Sequence, residues 1–262
     1  MAKQNWRWFH KLGSPPHVFR IAGAMAPWLG GLGLAALAVA TVWGLAFAPP
    51  DYEQGDGFRI IYVHVPSAWL SLFVYTMMAV ACAVGLIWRM KVAFAVAVAA
   101  APLGAAFTFL SLATGSLWGQ PMWGTWWTWD PRLTSQLILL FLYLGFIALN
   151  RAFQDQRSGD RASGLLAVVG VINVPIIHFS VDWWHSLHQP ATIAKFGAPS
   201  IDTAMLIPLL IMAVGFKLYF FWLLLLQLRS ELLLREKRAS WVADLVSGGP
   251  SSRAVQGGKI DV

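Results

Sequence analysis

Cysteine is almost missing: Cys82 is the only one in 262 residues, and it lies inside an apolar run. No disulfide, CxxC redox pair or cysteine-based metal cluster can therefore form within the chain. Charge is scarce as well, at 12% Asp, Glu, Lys and Arg, too little to cover a soluble domain or to keep a chain disordered. Carboxylates are the rarer sign, 12 against 19 Lys and Arg for a net charge of +7. In a soluble chain that balance points to nucleic acid; here it points to cytoplasmic anchoring, and no nucleic-acid partner is expected. There is no GxxxxGK[ST] phosphate loop, so ATP hydrolysis has no seat in this chain. Nor is there an internal repeat or a sign of a second domain. What is present instead is 58% apolar residues and 15 tryptophans.

Six apolar runs, at about Pro27–Phe47, Ser67–Ile87, Val92–Leu112, Leu133–Leu149, Gly164–Val181 and Ala204–Leu228, approach the ~20 residues a helix needs to cross ~30 Å of hydrocarbon. The expected fold is all-α, a polytopic membrane bundle of six transmembrane helices over residues 1–245, with a Gly- and Ser-rich flexible tail at 246–262. The first run has no small-residue cleavage site and reads as a retained anchor. Basic loops stay in the cytoplasm, and 15 of the 19 Lys and Arg fall in the N-terminal stretch, the second and fourth loops and the C-terminal tail. Both termini are thus expected there. Loops 48–66, 113–132 and 182–203 then face outward together, onto the periplasm of a bacterial inner membrane, with Arg59, Arg132 and Lys195 against six acids. Segments far apart in sequence share one membrane face, where a site can be assembled from all three.

Those loops hold seven tryptophans, and Trp118, Trp123, Trp126, Trp127 and Trp129 crowd into the Trp-rich segment 113–132. A single Trp at this boundary is an aromatic anchor, with its ring buried and its N–H wet. Five so close together exceed what anchoring needs. Were the segment helical, Trp123, Trp126 and Trp127 would align on one face at i, i+3, i+4 spacing, an indole shelf for a large, flat, apolar ligand. Asp130 before Pro131 reads as the N-cap of the fourth span, worth about 1 kcal/mol, and would hold that shelf against the membrane. Arg59 and Arg132 are the external arginines available to a ligand carboxylate, snorkelling being the plain alternative for Arg132.

Four of the six histidines, His64, His178, His185 and His188, lie in or beside the external loops. His64 and His188 flank the Trp-rich loop on the same face, whereas His178 has the depth of a span and reads as a buried, hydrogen-bonded histidine. Each alone is as readily a satisfied polar residue as an iron ligand. Together with the indoles they fit heme: imidazoles for the axial positions, indoles for the porphyrin, arginines for the propionates. Six-coordinate iron leaves no open position, which favours carrying heme over chemistry on it. Lys217, the charge inside the last run, reads as snorkelling toward the cytoplasm.

The run Trp123-Gly-Thr-Trp-Trp-Thr-Trp-Asp130 is similar to the tryptophan-rich WWD signature of heme-handling membrane proteins of cytochrome c maturation. With Tyr62-Val-His-Val-Pro66, Pro175-Ile-Ile-His-Phe-Ser180 and Asp182-Trp-Trp-His-Ser-Leu-His-Gln189, residues 5–245 resemble the smallest branch of that group, the cytochrome c maturation protein C (CcmC, heme exporter protein C) family. The resemblance implies heme b held on the periplasmic side, with His64 and His188 as axial ligands and His185 as a competitor. It implies delivery of that heme to a membrane-anchored periplasmic heme chaperone. The implied partners are the ATPase and permease subunits of an ABC-type transporter and a small single-span subunit, all within membrane lipid. The implied role is heme transfer rather than conventional enzyme catalysis. Two other readings stay open: a cytochrome c heme lyase or synthase joining heme directly to CxxCH thiols, and a transmembrane heme transporter. The latter needs a polar path, for which the runs offer little beyond Lys217 and Asn173.

Overall fold

The computed structural model describes residues 11–184, 186, 188 and 198–247. His10, His185, Lys195 and nearly all of the 246–262 tail lie outside the described residues. The described elements are α1 (Pro15–Val42), a π-helical turn (Trp43–Phe47), a 3-10 turn (Asp56–Ile60), α2 (Ile61–Trp88), α3 (Lys91–Trp123), α4 (Pro131–Arg151), α5 (Gln156–Gly170), α6 (Asn173–Trp183), α7 (Thr203–Arg235) and α8 (Ser240–Val246). Six crossings result: α1 with its π-turn, the 3-10 turn with α2, then α3, α4, the α5–α6 pair, and α7. This is a multi-pass helical membrane protein, as the hydropathy of its runs requires.

Two helices run past their apolar stretches, because the membrane–water interface accepts Ser, Gln and Trp without ending a helix. α2 already begins at Ile61 and takes His64 into its first turn; α3 continues to Trp123. α3 stops where Gly124 adopts a left-handed backbone, φ 73°, and returns its N–H to Gln120 O at 3.0 Å, a glycine C-cap. The fifth crossing is not one helix. Pro175 lacks the N–H that would bond to Val171 O in a continuous helix, but is tolerated in the first turn of a new one, and α6 restarts at Asn173. The Asn173 amide then donates to Ser135 O of α4 at 2.9 Å.

α3 sits at the centre of the bundle, and its Ala95, Ala97, Ala99, Ala100 and Ala101 are buried. Such small side chains let neighbouring helices approach closely, which matters where lipid gives no hydrophobic drive for association. α1 lies along α7 by the same device. A methyl on Gly33 would lie 3.0 Å from Tyr219 N, and one on Gly215 3.0 Å from Leu37 N. Polar clamps add to the packing: Gln136 donates to Ser71 Oγ (2.9 Å) and the Tyr143 hydroxyl to Ser71 O (2.8 Å), joining α4 to α2. At the end of the bundle away from the Trp-rich turn, Arg235 forks onto the buried Asp160 carboxylate at 2.7 and 2.9 Å. An even number of crossings brings the connections after α1, α3 and α6 to the other end.

Candidate functional site

At that end His64 is buried, 9% exposed, in the first turn of α2 against the last turns of α3. Gly115 makes room for its ring, since a methyl there would lie 3.0 Å from His64 Cε1. His64 Nδ1 lies 3.1 Å from Thr114 Oγ1. The single Thr114 proton is directed back along the helix to Leu110 O at 2.7 Å, so the hydroxyl offers His64 a lone pair and Nδ1 is the donor. That choice of tautomer leaves the Nε2 lone pair free to ligate. One turn beyond Thr114, Trp118 stands edge-on to His64 at 5.7 Å. The Trp118 indole N–H donates to Gln54 Oε1 at 2.9 Å, tying the first external connection to α3.

The second half of the site is organised by one carboxylate. Asp130 Oδ1 accepts the Leu133 N–H at 2.7 Å with Pro131 following, the N-cap expected for α4. Asp130 Oδ2 accepts the Ser186 hydroxyl at 2.6 Å, and Ser186 Oγ accepts the His188 N–H at 3.1 Å. The Trp-rich turn and the segment after α6 are thereby latched together. The His188 ring centroid lies 6.4 Å from that of His64, at 34° between planes, and 6.5 Å from that of Trp123. Arg132 donates to Ile177 O at 2.7 Å and draws α6 against α4.

Several expected residues fall elsewhere. Because α3 ends at Trp123, the condition for a helical shelf is not met, and Trp123, Trp126 and Trp127 do not share a helix face. Trp118 and Trp123 ride on α3, while Trp126 (58% exposed) and Trp129 (77% exposed) stand outward on the turn. Trp127 meets Trp129 edge-to-face at 5.5 Å, and among the described residues its buried indole N–H has no hydrogen-bond partner. Arg59 points back at the first crossing: it donates to Gly44 O (2.5 Å) and Ala48 O (2.9 Å), satisfying carbonyls around the π-turn, and pairs with Asp56 at 3.0 Å. His178 is exposed, with its ring against Phe179 at 4.7 Å; depth in a span does not decide which side of a helix a residue occupies. Lys217 lies over the Phe73 ring at 4.9 Å. Sequence reasoning did not single out Gln54, Thr114 or Ser186. Thr114 and Trp118 do stand four apart on one helix, and Ser186 lies two residues before His188; for Gln54 no signal exists.

Fold and site together define a polytopic helical membrane protein with a histidine–tryptophan cluster at one end of its bundle. The sequence model described as heme exporter protein C matches residues 8–243. Heme exporter protein C of Haemophilus influenzae is 51% identical over 240 residues, covering 92% of this chain and 98% of its own. That of Escherichia coli K12 is 51% identical over 241 residues (92% and 97%), and that of Bradyrhizobium diazoefficiens 50% over 228 residues (87% and 86%). The chain belongs to the heme exporter protein C family.

Proposed function

We propose that this protein holds heme b at the periplasmic face of the bacterial inner membrane, between His64 and His188, and passes it to a membrane-anchored periplasmic heme chaperone during cytochrome c maturation. The observation that carries this reading is the 6.4 Å between two imidazole centroids brought from opposite sides of the Trp-rich turn. Two metal–nitrogen bonds of about 2 Å each, with the ring radii added, span roughly 6–7 Å. The rings are therefore spaced for one iron. Among the described residues no group of three or more His, Cys, Asp or Glu is arranged for a bare metal ion, and a porphyrin supplies the four donors that two imidazoles lack. The relatives' shared name, heme exporter protein C, supports the same cargo.

The remaining residues take roles by chemistry. Arg132, which commits one nitrogen to Ile177 O, and the Trp127 N–H, unpartnered among the described residues, are the donors suited to propionates, whereas all three Arg59 guanidinium nitrogens are engaged, by Asp56, Gly44 O and Ala48 O. Trp118 and Trp123 stand beside the two histidines, where indole faces suit a porphyrin edge. Trp126 and Trp129, exposed on the turn, are the surface offered to the chaperone. The periplasmic placement rests on the bias of Lys and Arg toward the other side. With no phosphate loop here, hydrolysis belongs to the ATPase of an ABC-type partner acting with its permease and a small single-span subunit.

The test is spectroscopic. Protein purified from heme-replete cells is expected to show bis-imidazole bands, and a His64→Ala, His188→Ala double variant to lose them together with most of its iron. Unchanged bands in the double variant would overturn the ligand assignment.

A further inference from the structure

Lys217 occupies an expensive place. It is the one charged residue in the apolar stretch 204–228, and at ~1.5 Å per residue it lies roughly 15–20 Å from either end of that stretch. A lysine stem reaches only about 6 Å, so its ammonium cannot gain either interface by snorkelling. Phe73, the ring beneath it, gives a second measure of depth, for it lies near the middle of α2. A charge at the bilayer centre is costly unless it is paired or hydrated. A cation–π contact with a phenylalanine offsets only part of that.

Among the described residues no carboxylate is placed to pair with it. In the described spans Asp56, Asp160, Asp182 and Glu231 all lie near helix ends, and Asp160 and Glu231 are taken by Arg235. A second copy of the chain offers the same spans and the same lack. Lipid carries its charge at the headgroups and has none at this depth. The face around Lys217 is nevertheless regular: Ile207 (39%), Leu210 (44%) and Val214 (55%) are exposed and stand with exposed Lys217 at steps of three and four along α7. That is the spacing at which one helix packs along another.

We propose that the Ile207–Leu210–Val214–Lys217 face of α7 is a docking seam for a transmembrane helix of a different polypeptide that carries an Asp or Glu at mid-membrane depth. The counter-charge selects the partner, because an apolar helix fits the three aliphatic side chains but leaves the ammonium unpaired.

The test uses the full chain in its native membranes with a photo-reactive benzoyl-phenylalanine at Val214. The expected adduct is to one polypeptide, through a transmembrane peptide that contains Asp or Glu. Lys217→Met, which keeps the stem length, should lower that adduct at least tenfold, Lys217→Arg should keep it, and Lys217→Glu should lose it. Changing the partner's carboxylate to Lys should restore the adduct with Lys217→Glu. Adducts only to lipid or to a second copy, a partner peptide without a carboxylate, or an undiminished yield in Lys217→Met would each overturn the proposal. So would a Lys217→Met variant that loses bound heme while cross-linking normally, since the lysine would then serve the porphyrin carboxylates.

Discussion

Removing one hydroxyl, in Ser186→Ala, tests whether the latch between the Trp-rich turn and His188 governs cargo retention. Ser186 donates to Asp130 Oδ2 at 2.6 Å and accepts the His188 N–H at 3.1 Å. A hydrogen bond to a charged group contributes about 1.5–3 kcal/mol, and its loss leaves the helix cap intact, because Asp130 Oδ1 still accepts the Leu133 N–H. If the bond acts by ordering His188 opposite His64, that energy is felt in heme affinity as a loss of about ten- to a hundredfold. Ser186→Thr keeps the hydroxyl and should bind as the parent does. Asp130→Asn keeps the cap through its single amide oxygen but sets an NH2 donor where Oδ2 accepted the Ser186 hydroxyl, and should lose affinity about as the alanine variant does. The assay is titration of heme into the detergent-solubilised apoprotein, followed in the Soret region, beside a thermal transition that reports the fold. Parental affinity in a stably folded Ser186→Ala, or equal losses in the alanine and threonine variants, would refute the reasoning.

Thr114→Val removes the acceptor that holds His64 Nδ1–H; the same titration should show a ten- to a hundredfold loss, with Thr114→Ser close to the parent. Gly104→Ala drives a methyl into the buried Tyr143 ring and should cost about 1–3 kcal/mol by overpacking, seen as a lower aggregation temperature in detergent. Asp160→Ala leaves the buried Arg235 guanidinium with Glu231 as its remaining carboxylate, and the same thermal measurement should register about 1.5–3 kcal/mol, the worth of hydrogen bonds to a charged group. Tyr52 is 93% exposed at the site end, whereas the native Cys82 is wholly buried. A membrane-impermeant maleimide should therefore label Tyr52→Cys from the periplasm and leave the parent silent; labelling only after the inner membrane is opened would invert the topology.

The crossings were legible because apolar runs of membrane length have few other uses, and their even number alone places the connections bearing His64, the Trp-rich turn and His188 at one end. Local polarity said less about where helices stop. α3 carries Trp118 and Trp123 out of the apolar run on unbroken helix, and only the left-handed Gly124 ends it, so the indole shelf expected from spacing dissolves at its first member. The break in the fifth crossing, between Gly170 and Asn173, was not read from the sequence, because hydropathy passes over it. Contacts that depend on azimuth or on distant partners had no sequence signal. Hydropathy carries no register, so it did not foretell that α6 would turn His178 outward. Arg59 beside loop carboxylates looked available, but the carbonyls it satisfies lie in and just after a π-turn that periodicity does not announce. The Asp130 cap was readable because its partner is three residues away; the same residue's second bond, to Ser186, was not.

The two imidazoles leave the ribosome far apart in time. His64 follows the first crossing, whereas His188 follows the fifth, roughly 120 residues later, an interval of about 6–25 s at bacterial rates of synthesis. Throughout it the nascent chain displays one imidazole without its opposite number. A stalled or clipped fragment lacking the fifth crossing therefore holds only one of the two imidazoles proposed as ligands, and the pair is complete only on a chain whose insertion is all but finished.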